Sequence, residues 1–409
     1  MKRNICFHFQ ISQPCRLKTY RFFDIGLHHD YFDEYQNHYL ANRLAERCYL
    51  PANKMFLDLI NENDNISLSF SISGTSIRLF KEHCPEIIDS FKKLIATGKV
   101  EITGSTFTHS IAALHDKKTF VEQVKLQEQT LKETFGITPT TFCNTELIYS
   151  DEIGEWIYEL GYKTILTEGA KHILGWKSPG YLYCNPFQTD LKLLLRNYTL
   201  CDDLTLRFSD KGWMHYPLTS EKYIGFLKSL PADAPFINLF FDYETIGEYN
   251  TKESGIFDFF SCLFRTISNS DEFRFIAPAQ TEEIEKDCEL SVSTMHAPWP
   301  ISSAGDEKDT SEWTGNELQQ EAFEQLFKLE PLYSNSTNEN AKQNWLNMQA
   351  ADHFAFMSTK WLSKSSVRRN FDVYPSPYQA FINYMNVLND IKIELEKNTK
   401  KAATARKSK

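Results

Sequence analysis

No two of the nine cysteines (Cys6, Cys15, Cys48, Cys84, Cys143, Cys184, Cys201, Cys262 and Cys288) stand in Cys-x-x-Cys spacing. The odd, scattered set argues against a disulfide framework and a thiolate zinc site, and for reduced, mostly structural thiols in a cytoplasmic protein. No apolar run approaches the ~20 residues that a membrane helix needs. The opening MKRNICFHFQISQP holds two basic residues but no apolar core of about 7–15 residues, so no signal peptide is expected. Positive charge is scarce: the net charge of −10 argues against nucleic acid or an anionic membrane as the main partner. Neither G-x-G-x-x-G nor G-x-x-x-x-G-K-[ST] occurs, nor the G-x-S-x-G turn of serine hydrolases. His28-His29-Asp30 invites a metal, but adjacent residues do not readily share one metal face and no His partner follows at i+4 on a clear helix. No metal and no cofactor are expected.

What is present is a well-filled core. Apolar residues make up 42% and charged residues 24% of 409, as in a soluble globular protein of one large domain with an appendage, or two to three domains. The aromatics, at 14%, fit a Phe-rich core, or a groove of flat rings suited to the apolar faces of sugars.

Strand-like and helix-like segments alternate from the start. Residues 4–11, 66–73, 100–103, 140–144, 163–168 and 236–241 read as strands. Between them, 39–63 (interrupted near Pro51), 86–99, 117–136, 150–161, 219–230 and 253–268 read as helices. This rhythm predicts an α/β protein whose parallel sheet is wound or closed by outer helices, with a barrel of seven or eight strands the natural candidate. After about residue 305 only helical patterns remain, at 315–330, 338–362 and 377–398. The expected organisation is a catalytic barrel over 1–300, a helical region over 301–395 packed on it, and a basic, disordered tail over 396–409.

Acids recur where strands end. Glu146 follows TTFCNT, and Asp242 follows INLFF, with Glu244 two residues on and pointing the other way if the backbone stays extended. On a barrel, strand ends converge over the mouth. Two carboxylates there suit glycoside hydrolysis, one as acid/base and the other as nucleophile or base. A helix cap or an ion-pair partner is the alternative reading of either acid.

FFDYETIGEY resembles the catalytic Asp motif of glycoside hydrolase family 57. Four further stretches resemble blocks of that family in the same order: FQISQPCRLKTYRFFDIG (9–26), VEITGSTFTHS (100–110), CNTELIYSDEIGEW (143–156) and APWPISSAGDEKDTSEWTGNELQQ (297–320). The resemblance implies a distorted (β/α)7 TIM-like barrel followed by a C-terminal helical region. It also implies an α-glucan or maltooligosaccharide substrate and a retaining mechanism, with Glu146 as nucleophile and Asp242 as acid/base. A neighbouring ionised Glu146 and partial burial would then favour protonated Asp242.

Two departures stand out. The family's His-Gln-Pro reads Ser12-Gln13-Pro14 here, and a His found two residues earlier in some members is Gln10. Both can still hydrogen-bond to hydroxyls, without a positive charge. The family's Gly-Glu-His is Gly247-Glu248-Tyr249. Gln10, Ser12, Gln13 and His109 are the candidate sugar contacts, His109 being alternatively a structural histidine. Glu244 is expected to support the acid/base or the local turn. Trp313, with Asp309 and Ser311, could bring a ring to a glucose face or simply pack a helix, and Trp299 likewise. An α-amylase-like hydrolase is the leading reading. A 4-α-glucanotransferase or branching-type transglycosylase shares its chemistry. A glucan-binding protein on a decayed barrel is the non-enzyme alternative. A metal-dependent deacetylase on a similar barrel would need a His-xxx-His spacing that is missing. Oligomeric state is not legible.

Overall fold

The computed structural model describes residues 2–360 and 374–407. Ten strands occur among them: β1 (Arg3–Ile11), β2 (Leu68–Ile72), β3 (Val100–Ile102), β4 (Thr141–Cys143), β5 (Thr164–Glu168), β6 (Leu182–Cys184), β7 (Lys192–Arg196), β8 (Phe236–Asp242), β9 (Phe273–Phe275) and β10 (Val292–Thr294). Parallel pairing runs β3-β2-β1-β8 in one sheet and β4-β5-β7 in the other. A parallel bridge between Gly104 and Phe142 joins β3 to β4. On the other side the Asn197 amide donates to the Asn238 carbonyl (2.9 Å), and Asn238 Nδ2 returns a bond to the Leu195 carbonyl (3.0 Å). These contacts close a distorted barrel of seven parallel strands. β6 and β10 lie outside the ring beside β7, and β9 pairs with the start of β1.

Period-two alternation sets which residues face the barrel axis. In β1, Ile5, Phe7 and Phe9 join the outer hydrophobic layer under the helices, while Cys6 joins a small inner cluster. In β8, Ile237, Leu239 and Phe241 are outer residues and Phe236 and Phe240 inner ones. Inward His8 is satisfied by the hydroxyls of Ser69 (2.9 Å) and Ser71 (3.3 Å), and burial pulls its pKa down to about 3, so it sits neutral. The same parity turns Gln10 and Asp242 inward at the ends of their strands.

The outer layer is a phenylalanine stack. Phe9 contacts the rings of Phe56, Phe70, Phe241, Tyr243 and Phe260, with centroids 5.1–6.3 Å apart. Phe56 comes from the helix Leu50–Glu62 and Phe260 from the helix Ile256–Ser268. Pro51 lies beside the expected interruption of the α-helical path, between Glu34–Leu44 and Leu50–Glu62. It occupies the first turn of Leu50–Glu62, where no intrahelical N–H is lost, and a π turn, Ala45–Tyr49, precedes it.

Beyond β10 the described residues hold helices only. They cover the β4-β5-β7 side: Phe142, Ile165, Leu193 and Leu195 share one core with Trp313, Trp345, Phe354 and Tyr384. The helix expected over 338–362 is two, Glu339–Asn347 and Ala351–Ala355, and its last two residues lie outside the described residues. The break has a cause: Ala350 pairs with Ser110, and the Ala351 amide donates to the His109 carbonyl (2.9 Å), both in the barrel. The last helix, Pro377–Lys407, continues through the segment expected to be a disordered tail. Its alanines, lysines and glutamates are strong helix formers; residues 408–409 lie outside the described residues.

Because Phe9 joins the rings of two helices and two strands, Phe9→Ala should cost about 3–5 kcal/mol. A chemical-denaturation midpoint that falls with unchanged slope is the expected result.

Candidate active site

Glu146 follows β4 in a single 3-10 turn, Thr145–Leu147, and adopts the left-handed conformation (φ 52°, ψ 29°), as does Leu147 (φ 55°). Such backbone costs on the order of 1–3 kcal/mol per non-glycine residue and persists only where its surroundings enforce it. Here they do. Asn144 accepts a bond from the Thr145 amide and donates one to the Ile148 carbonyl, both 2.9 Å. Thr167 Oγ1 donates to the Leu147 carbonyl (3.1 Å). Ser303 donates to the Glu146 carbonyl from its amide (2.9 Å) and from its hydroxyl (3.0 Å), which also lies 3.5 Å from Glu146 Oε2. The strain aims a buried carboxylate off the strand end.

His109, in the turn after β3, is left-handed too (φ 55°). Its Nε2 lies 3.2 Å from Glu146 Oε1 and 3.3 Å from Gln10 Nε2. That nitrogen can donate to the carboxylate or accept from the amide, but not both at once. Gln10 stands directly opposite Asp242 in the β1–β8 ladder. The Glu146–His109–Gln10 cluster therefore reaches the strand position beside Asp242. Electrostatics agree. The inward Cys143 thiol is pushed up to about 12, first by burial, and the carboxylates of Glu146 and Asp242 both raise it against the lowering hydrogen bond of Ser71. The two acids, 96 residues apart in sequence, thus act on one thiol at the top of β4.

Asp242 is partly exposed and receives a 3.4 Å bond from the Tyr249 phenol. The chain does not stay extended after it: Tyr243–Thr245 is a 3-10 turn, and Glu244 turns into the interior. Glu244 Oε1 accepts bonds from Tyr49 OH (2.5 Å) and Gln13 Nε2 (2.9 Å), and Arg16 in turn donates to Gln13 Oε1 (2.8 Å). Burial and then the Asp242 carboxylate push the Glu244 pKa up from 4.5 to about 7, against these donors. Gly247 (φ 105°) lets the same turn pass over another segment: a Cβ there would lie 2.0 Å from the Arg47 carbonyl oxygen.

The predicted residues divide accordingly. Glu146, Asp242, Gln10 and His109 come together at the mouth. Gln13 is buried and holds Glu244. The Ser12 hydroxyl is buried without a hydrogen-bond partner. The other three lie in or beside the segment that Ile301 and Ser303 tie to Tyr149 and Glu146, and they differ in exposure. Trp313 is wholly buried in the core between barrel and helical region, so neither ring face is open to a ligand. Trp299 is 80% exposed. Asp309 is exposed and accepts bonds from the Ser311 amide and hydroxyl.

Sequence reasoning missed a second set of groups at the same rim. Glu168, which ends β5, stands opposite Arg196, which ends β7, in the ladder, and their side chains pair at 3.1 Å. Burial raises the Glu168 pKa, while Arg196 and Lys308 pull it down. Lys308 Nζ also donates to the Ser303 carbonyl (3.1 Å), tying the segment that holds Glu146. Glu168 carries the strand-then-acid signal that marked Asp242. Ser303 carried none, because its role comes from a contact 157 residues away in sequence.

The barrel thus carries a strained glutamate and a strand-end aspartate at the C-terminal ends of its strands. The model of glycosyl hydrolase family 57 matches residues 6–293, and the chain belongs to that family. It is 35% identical to a putative alpha-amylase of Methanocaldococcus jannaschii, over 97% of this chain and 88% of that protein. Among solved structures, a branching enzyme of Pyrococcus horikoshii superposes with TM-score 0.68 at 12% identity, over 95% of this chain and 88% of that one. An alpha-amylase of Thermotoga maritima superposes with TM-score 0.62 at 13% identity, over 98% and 97%. At such identities the superpositions speak for the fold alone.

Glu244 ties stability to pH. Its folded pKa lies above its ordinary value, so protonation favours the folded state, and stability from this group is lost as pH rises from about 4.5 through about 7. Glu244→Gln keeps an acceptor for Tyr49 and Gln13 but cannot ionise. Its melting temperature relative to wild type should therefore climb between pH 5 and pH 8 in a fluorimetric melt; a constant difference would refute the assignment.

Proposed function

We propose that the protein is a retaining glycoside hydrolase acting on α-1,4-glucans such as starch, glycogen or maltooligosaccharides, with Glu146 as nucleophile and Asp242 as acid/base. The observation that carries this reading is that Gln10, in reach of the His109 that touches Glu146, stands opposite Asp242 in the β1–β8 ladder. In the first step a Glu146 oxygen attacks the anomeric carbon while Asp242 gives its proton to the departing glycosidic oxygen. The product is a glycosyl ester on Glu146. Asp242, now a carboxylate, then takes a proton from water, whose oxygen displaces Glu146 and restores the original anomeric configuration. This chemistry needs the two carboxyl groups about 5–5.5 Å apart.

His109 is read as the partner that orients Glu146, and Gln10 and Ser12 as hydrogen-bonding contacts to sugar hydroxyls. The unsatisfied Ser12 hydroxyl supports a polar ligand atom nearby. Gln13 and Glu244 are read as support beneath the acid/base, and Tyr249 as the donor that steadies Asp242. Asp309, Trp299 and Trp313 are not assigned to the sugar. On this reading residues 1–300 supply the chemistry and 301–395 brace it. The α-glucan substrate rests on the M. jannaschii relative, named a putative alpha-amylase. A cytoplasmic location is supported by nine cysteines that are all unpaired. No helix among the described residues is long and apolar enough to cross a membrane.

Transfer to a second sugar instead of water uses the same two residues, and a 4-alpha-glucanotransferase of Thermococcus litoralis shares the fold (TM-score 0.61). Chromatography of the products of maltoheptaose separates the outcomes. Hydrolysis gives shorter chains and rising reducing ends; transfer gives chains both longer and shorter at constant reducing ends. In either case Glu146→Gln should lower kcat by at least about 10³-fold, as expected when a covalent nucleophile is removed. Unchanged turnover in that variant would overturn the assignment.

A further inference from the structure

A groove of ≈ 640 Å³ opens on the flank of the barrel, outside the acid pair. Its walls come from the segment after β5, the start of the helix Tyr198–Thr205 after β7, and the helix Ser220–Ser229 with the loop before it. Its size lies within the ~300–1,000 Å³ of small-molecule sites. Three rings form a continuous wall: Trp213 lies 5.1 Å from His215, and His215 lies 5.0 Å from Phe226, each pair edge to face. Trp176 stands on the rim with 87% of its surface exposed, and Tyr198 lies at the end nearest the mouth.

Tyr198 connects the groove to the site. The ammonium of Lys308 lies 5.1 Å from the centre of its ring. Lys308 in turn donates to the carbonyl of Ser303, and Ser303 holds Glu146. The groove thus runs from the outer flank to within three side chains of the candidate nucleophile.

The rings of the lining suit a ring-shaped, hydroxyl-rich ligand, with Lys171 and Lys177 adding two ammonium donors for its hydroxyls. Flat rings cover the apolar C–H faces of pyranoses, and Asn197 and Ser178 bring an amide and a hydroxyl to their edges. Asp203, the one acid in the lining, is already paired with Arg207 at 2.5 Å. We propose that this flank groove is a second glucan-binding site, in which Trp176 and the Trp213–His215–Phe226 wall hold a remote part of the same α-glucan chain whose end or branch reaches Glu146. It rests on the reading of the substrate as an α-glucan. Long or branched chains would gain affinity from the second contact through the raised effective concentration of a tethered segment, whereas a short oligosaccharide spanning only the mouth would not.

The test is native electrophoresis of the full chain through gels with and without glycogen, beside turnover of a short chromogenic maltoside. Trp176 is so exposed that Trp176→Ala should leave the fold intact, which an unchanged melting temperature would verify. The parent should be retarded by glycogen. Trp176→Ala should need about three- to tenfold more glycogen for the same retardation, the loss expected for one ring contact, and should turn over the short maltoside like the parent. Equal retardation of parent and variant, or no retardation of the parent, would overturn the groove as a glucan site. Weakened retardation of the variant with no turnover by either protein would support the groove and remove the catalytic reading instead.

Discussion

The pairing of β1 with β8 is the contact on which the rest of this molecule depends. Seven residues of each strand stand in register, from Asn4 opposite Phe236 to Gln10 opposite Asp242. Outward, that ladder supplies Phe7, Phe9 and Phe241 to the aromatic layer that seats two helices. Inward and at its end, it fixes the Gln10 amide beside the candidate acid/base. A one-residue slip would send Asp242 into the phenylalanine layer and a phenylalanine to the mouth. Burial of the outer face thus pins the register, and the register places the acid.

The strain at the mouth is held from elsewhere. His109, Glu146 and Leu147 are three left-handed non-glycine residues within one site. The C-terminal region supports the first two from outside the barrel, and Thr167 of β5 holds the Leu147 carbonyl. Ala351 bonds to the His109 carbonyl, and Ser303 bonds twice to the Glu146 carbonyl. Gln349 accepts bonds from Gln123 (2.8 Å) and Ser110 (3.0 Å), locking the turn that presents His109. The C-terminal region is therefore more than a cover. Together with Asn144 and Thr167 it over-determines the left-handed backbone, and pre-organised carboxylates need that rigidity.

Polar support is layered in the same way below the acid/base. Arg16 orients Gln13, Gln13 and Tyr49 hold Glu244, and Glu244 lies two residues from Asp242. The cost is a buried carboxylate kept near neutrality with its charge opposed by Asp242. Such a tension belongs to a site, because a core built for stability alone would place an apolar side chain there.

Much of this could be read from the residues in order. The period-two runs in INLFF and ICFHFQ, the Gly that ends the helix Lys117–Phe135 and the Ser150 cap are local signals, and each element formed where its pattern stood. The pair Glu146 and Asp242 stood out because a strand followed by an acid is also local. β7 went unread: its five residues, KLLLR, follow a short antiparallel strand rather than a helix, so the alternation that marked the others is absent. Trp313 is ambiguous in the sequence, open to sugar stacking and to helix packing alike. Whether its ring meets sugar or core depends on which elements pack above it. The sequence by itself determined the barrel, the strand ends and the two acids, since periodicity and caps act over a few residues. The tertiary structure alone decided the partners: Ser303 for Glu146, Tyr49 for Glu244, the Glu168–Arg196 pair and the ring-lined groove. These contacts join residues 28 to 195 positions apart, and no local pattern encodes which distant side chain will complete a site.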